Sequence, residues 1–143
     1  MRCAEIVRAG TSRVWEALAT RHGWENWFCN RVLMDFQPGG FIHFRWKDFG
    51  PDHYTGDNRA DILEVERKKL LAFRWKSSQR HPATIVRLSL EPRGPITIVR
   101  VEETGWGNDA DAAITSAAGW GAALGWLKFW VEHEIRFDGR RPR

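Results

Sequence analysis

Residues 119–135 read GWGAALGWLKFWVEHEI and carry three of the chain's nine tryptophans, spaced by glycine and alanine instead of by charge. At 3.6 residues per turn, Trp120, Ala123, Leu124, Leu127, Trp130, Val131 and Ile135 share one broad side. Gly121, Gly125, Lys128, Glu132 and Arg136 fall opposite. An apolar side this wide exceeds a coiled-coil seam and suits a helix lying across a sheet. Each interior glycine costs about 1 kcal/mol against alanine. An offset is therefore expected, either the close approach of another backbone or room for a guest.

The residues upstream supply the sheet. Glu5 to Arg8 alternates briefly as a short edge strand, and Thr11 or Ser12 offers an N-cap to a helix whose Val14, Trp15 and Leu18 form one stripe. A second short turn, Gly23 to Phe28, carries Trp24, Trp27 and Phe28. From Arg31 the period changes to two: Val32, Met34 and Phe36 share a face until the reversal QPGG (37–40). Ile42, Phe44 and Trp46 then alternate with Phe41, His43 and Arg45, and DFGPDHYTGD (48–57) reads as a hairpin loop. ADILEVE (60–66), LLAFRW (70–75), TIVRLSL (84–90) and ITIVRVEE (96–103) are further strands, the last two joined across Pro92, Gly94 and Pro95. After Gly105 to Gly107 the pattern returns to helix, with Asn108 or Asp109 as cap and a break expected at Ser116 to Gly119. Short connections between consecutive strands require antiparallel pairing. The fold class is α+β: a curved antiparallel sheet of about six or seven strands around a long C-terminal helix, with two short helices after the first strand.

With 143 residues, the chain fits one domain spanning 1–143. Its 43% apolar and 28% charged residues exclude disordered and fibrous classes, while the 13% aromatic share is high. No run of about 18 apolar residues occurs and MRCAEIVRAG has no apolar signal core, so membrane insertion and secretion are not expected and the default is cytoplasmic. Cys3 and Cys29 lack metal-ligand spacing and read as reduced and structural. The net charge of +4 is scattered apart from RFDGRRPR (136–143), without any nucleic-acid-binding motif, so that segment reads as a solvated basic tail and no nucleic-acid partner is expected.

Chemistry-bearing motifs are sparse. His22, His43, His53, His81 and His133 make no zinc spacing, and neither a metal nor a cofactor is expected. Ser12, Ser77, Ser78, Ser89 and Ser116 lack a nucleophile elbow, Cys29 has no evident base, and GWGND (105–109) reads as a helix cap, not a phosphate loop. For acid–base work the candidates are Glu103, on the inward face of its strand with Val99 and Val101, and Glu134, within the apolar arc of the last helix. His43 beside Arg45 either holds a ligand carboxylate or faces solvent. His53 and Tyr54 sit where a pocket mouth would be. A protein-interaction role predicts exposed Trp24, Trp106 or Phe129, with homodimerisation through the Phe129 face of the last helix.

VWEAL (14–18), Trp27, the PGG turn (38–40), Gly56 before ADILEVE, FRW (73–75), LEP (90–92), ITIVRVEETG (96–105) and Gly119-Trp120 with Leu124 and Leu127 resemble, in order and spacing, the START-like polyketide cyclase and lipid-transport superfamily. Within it they are similar to the family named for the C-terminal domain of the heat-shock protein 90 ATPase activator. The resemblance spans nearly the whole chain. It implies the helix-grip fold with a pocket between the sheet and the C-terminal helix, where superfamily members bind lipids, steroids or polyketides and a minority catalyse cyclisation or hydrolysis. It carries over no catalytic constellation. Chaperone-activating members have an additional N-terminal domain that this chain lacks, so a chaperone partner is not expected. The residues expected to line the pocket are Trp27, Phe44, Trp46, Tyr54, Phe73, Trp75, Val86, Leu88, Trp120, Leu124 and Leu127. They either fill a core or enclose a cavity, and the resemblance favours the cavity. The expected function is binding of a small hydrophobic or aromatic molecule; the alternatives are a cyclase, hydrolase or isomerase in the same pocket, and an interaction module.

Overall fold

The computed structural model describes residues 1–76 and 81–142. Ser77, Ser78 and Arg143 of the sequence reading lie outside them. β1 (Arg2–Val7) is followed by α1 (Thr11–Ala19) and α2 (Arg21–Trp27). Then come β2 (Arg31–Asp35), β3 (Phe41–Phe49), β4 (Tyr54–Glu66), β5 (Leu70–Trp75), β6 (Thr84–Arg93), β7 (Ile96–Thr104) and α3 (Ala110–His133). The strands form one seven-stranded sheet in the order β1-β7-β6-β5-β4-β3-β2, with every neighbouring pair antiparallel. This is the expected α+β helix-grip architecture.

Period-two alternation sends Ile42 and Phe44 of β3, Leu71, Phe73 and Trp75 of β5, Val86 and Leu88 of β6, and Val99 and Val101 of β7 to one face. There they join Trp120, Leu124 and Leu127 of α3 in one core. Trp24 and Trp27 stack at 5.0 Å at the α2 end of that core. Their indole N–H groups donate to Leu18 O at 2.7 Å and Ala17 O at 2.8 Å, which satisfies both buried donors with α1 carbonyls. The α1–α2 corner is so close that a Cβ on Gly23 would lie 2.5 Å from Glu16 O, which is why glycine stands there.

Several local expectations are corrected. Neither Thr11 nor Ser12 caps α1; Gly10 holds the N-cap position with no side-chain bond. The side-chain cap falls on α2 instead, where Thr20 Oγ1 accepts from Gly23 N at 3.0 Å. Helix α3 is capped by Asp109, whose Oδ1 accepts from Ala112 N at 2.9 Å, and it runs unbroken through Ser116 to Gly119. Trp24 is fully buried, not exposed. Glu134 leaves the apolar arc because the chain turns left-handed there (φ 54°), ending the helix and exposing its side chain. No backbone approaches the α3 glycines: a Cβ on Gly119, Gly121 or Gly125 meets nothing within 4 Å.

One irregularity shapes the interior. Strict alternation along β3 would send Phe49 outward, opposite to Phe44 and Trp46. A bulge between Trp46 and Phe49, with Asp48 in a left-handed conformation (φ 51°), adds one residue and turns Phe49 inward. Two ties hold α3 in place. Lys128 Nζ donates to Ile6 O at 2.7 Å and lies 3.5 Å from the buried Glu132 carboxylate. Arg13 donates to Val131 O at 2.7 Å.

Candidate functional site

Between the middle of α3 and the β3–β4 end of the sheet a cavity of about 410 Å³ remains. Trp46, Phe49 and Trp75 come to it from the sheet, Phe28 from the end of α2, and Trp120 and Trp126 from α3. At the mouth stand Pro51 and Asp52 of the β3–β4 loop and Tyr54 at the start of β4. Gly119, Ala122 and Ala123 line the same space, whereas Gly121 and Gly125 do not border it. Roomier depressions of about 670 and 690 Å³ lie elsewhere on the surface. Their lining carries charged side chains such as Arg2, Glu66 and Arg87, or Arg31, Arg45 and Asp57, and Trp46 is its single aromatic residue among the described residues.

The rings of the wall pack against one another. Phe28 stacks on Trp120 at 5.6 Å with 15° between planes, Trp75 meets Trp120 at 5.8 Å, and Phe49 meets Trp126 edge-on at 5.1 Å. Tyr54 leans on Trp46 at 5.7 Å and over Gly56, where a Cβ would fall 2.5 Å from the tyrosine hydroxyl.

Behind this wall sits Glu103, with no solvent exposure. Its Oε1 accepts from Ser116 Oγ at 2.6 Å and Trp120 Nε1 at 3.0 Å. Its Oε2 accepts from Thr84 Oγ1 at 2.5 Å and Trp75 Nε1 at 3.0 Å. Each oxygen thus receives one hydroxyl and one indole, which matches the accepting capacity of a carboxylate and accounts for a charged side chain inside an apolar core. Three of these donors, on Trp75, Ser116 and Trp120, belong to residues that line the cavity. Glu103 therefore fixes the walls, and all its polar capacity is used in doing so.

Of the residues expected from sequence, Trp46, Tyr54, Trp75 and Trp120 are brought together around the cavity. Trp27, Phe44, Phe73, Val86, Leu88, Leu124 and Leu127 lie in the packed core below it. Sequence reading missed Phe28, Phe49 and Trp126. The bulge hides Phe49, whereas Trp126, three residues after Ala123, follows a helical spacing already in view. His43 faces the other side of the sheet, its Nε2 2.7 Å from Asp57 Oδ2. His53 is tied to Asp48 at 2.5 Å. Burial, reinforced by the Glu25 carboxylate, pushes the Cys29 thiol up to about 12, which leaves it inert as a nucleophile. No group of three His, Cys, Asp or Glu side chains among the described residues is arranged to hold a metal.

The sequence model for Activator of Hsp90 ATPase homolog 1-like proteins matches residues 8–132. This chain belongs to that family. Among solved structures, the crystal structure of CalU16 from Micromonospora echinospora is similar at 22% identity and a TM-score of 0.76, over 94% of this chain and 76% of CalU16. DynU16, a protein of the dynemicin biosynthetic locus, has 20% identity and a TM-score of 0.82; it covers all of this family member, which spans half of DynU16's length. The Aha1 dimer from Colwellia psychrerythraea, solved in solution, has 20% identity and a TM-score of 0.77 over 93% of this chain and 96% of that one. At these identities the likeness is one of fold, the START-like helix grip. No protein of curated function matches the sequence. No helix among the described residues is long and apolar enough to cross a membrane.

Proposed function

We propose that this member of the family binds a small hydrophobic or aromatic molecule in the cavity between the sheet and α3. The observation that carries the reading is a space of about 410 Å³ bordered by Phe28, Trp46, Phe49, Tyr54, Trp75, Trp120 and Trp126. Pockets of this kind bury most of a guest among apolar rings and fix its orientation with few polar groups. Burying about 200 Å² of apolar guest surface contributes about 5 kcal/mol at 25 cal/mol per Å². Lost motional freedom offsets part of that, so affinity in the millimolar range is expected. Four tryptophans in the wall make intrinsic fluorescence the natural assay, together with thermal melting, across fatty acids, sterols, flavonoids and aromatic polyketides. Saturable quenching with a raised melting temperature for one class is the expected result, lost in Gly119→Leu, whose side chain would project into open space at the cavity. Failure of every class on the folded protein overturns the reading.

A second reading, self-association, is favoured by one observation: Ile114 and Phe129 stand 67% and 55% exposed on α3. The expected result is a dimer mass in light scattering that Phe129→Glu reduces to a monomer. A monomeric mass at high concentration removes it.

A further inference from the structure

We infer that the cavity selects a small cation carried on an apolar body, such as an alkylammonium or a protonated aromatic amine, and rejects carboxylates; this rests on the binding role proposed above. Among the described residues no lysine, arginine or histidine lines the cavity, whose ionisable residues are Asp52 and Tyr54. Asp52 stands exposed at the mouth, with no cation within salt-bridge distance among the described residues.

Three of the four wall indoles have their donors engaged by the protein. Trp46 Nε1 donates to Phe28 O at 2.7 Å, and Trp75 and Trp120 donate to Glu103. Ser116 Oγ is also taken by Glu103. A guest carboxylate therefore finds, among these side chains, only the Tyr54 hydroxyl and the Trp126 indole as donors, which replace only part of its hydration. A guest cation meets a wall of aromatic rings, whose faces carry the negative lobe of the quadrupole. Two of those rings donate to a carboxylate, and such a hydrogen bond polarises the indole and makes its face more electron-rich. Of the cations near the cavity, the Met1 ammonium is 2.9 Å from Glu103 O, Arg136 is 5.2 Å from the Phe137 ring and His53 is paired with Asp48.

The test compares three probes that share a benzyl body: benzyltrimethylammonium, its uncharged isostere neopentylbenzene, and phenylacetate. Binding is read by tryptophan quenching and calorimetry on the whole chain. The expected result is about tenfold tighter binding of the cation than of the isostere, the range that ring-face attraction supplies in a desolvated site. Phenylacetate should show no saturable signal. Asp52→Asn, on an exposed loop and harmless to folding, should weaken the cation about threefold and leave the isostere unchanged. If the isostere binds as tightly as the cation, or phenylacetate binds comparably, charge selection is overturned while the pocket stands. If none of the three binds and the library also fails, the binding role falls and this inference with it.

Discussion

Replacing Glu103 by glutamine probes the buried hub with almost no change of shape. In either amide orientation, the new nitrogen faces one hydroxyl and one indole N–H, because each carboxylate oxygen now serves one of each. A serine or threonine hydroxyl can rotate to accept from the amide. An indole cannot, so one buried N–H, on Trp75 or Trp120, is left without an acceptor, at a cost of about 1–3 kcal/mol. The remaining bonds change from charge-assisted to neutral and lose roughly half their strength, about another 1–2 kcal/mol in total. Relief of the buried charge offsets part of this. The expected net loss is about 2–3 kcal/mol, or about 10 °C in melting temperature for a chain of this size. Urea denaturation of Glu103→Gln, of Trp120→Phe and Trp75→Phe, and of the double variants closes the cycle. The second substitution should cost at least about 1 kcal/mol less in the glutamine background, since it removes the stranded donor. A glutamine variant as stable as the parent, with no coupling to either tryptophan, would refute the view that the carboxylate organises the wall.

Two further predictions rest on the same structure. Gly121→Ala and Gly125→Ala each place a Cβ in open space within α3 and should raise stability by about 0.5–1 kcal/mol in chemical denaturation. A loss in either case would mean that something approaches this face of the helix. The Cys29 pKa of about 12 lies above its ordinary value of 9.0, so the folded state holds a proton that the unfolded chain releases between those values. Its contribution to stability is complete below pH 9 and falls as pH rises, by at most about 1.4 kcal/mol per unit. Denaturation midpoints between pH 8 and 11 should fall less steeply in Cys29→Ala, and at pH 8 a disulfide reagent should leave the parent's Cys29 unmodified until the protein unfolds.

The sequence by itself determined the order and kind of the elements, the antiparallel pairing and the helix that grips the sheet. These depend on periods of 2.0 and 3.6 and on turn residues, which act over a few neighbours. It also marked Glu103 as an inward carboxylate, since that residue continues the alternation of Val99 and Val101. Which rings fill the core and which border a void was decided by height along the sheet. Phe44 and Phe73 are fully buried in the core, whereas Trp46 and Trp75, two residues further along their strands, border the cavity. Phe49 reached the wall through a one-residue bulge that alternation does not announce. Glu132 is nearly buried on the polar side of α3 because Lys128 and β1 cover it. The four donors on Glu103 come from β5, β6 and α3, lying 13 to 28 residues away along the chain. Their convergence on one carboxylate follows from the curvature of the sheet around the helix, a property of the assembled tertiary structure that no local pattern encodes.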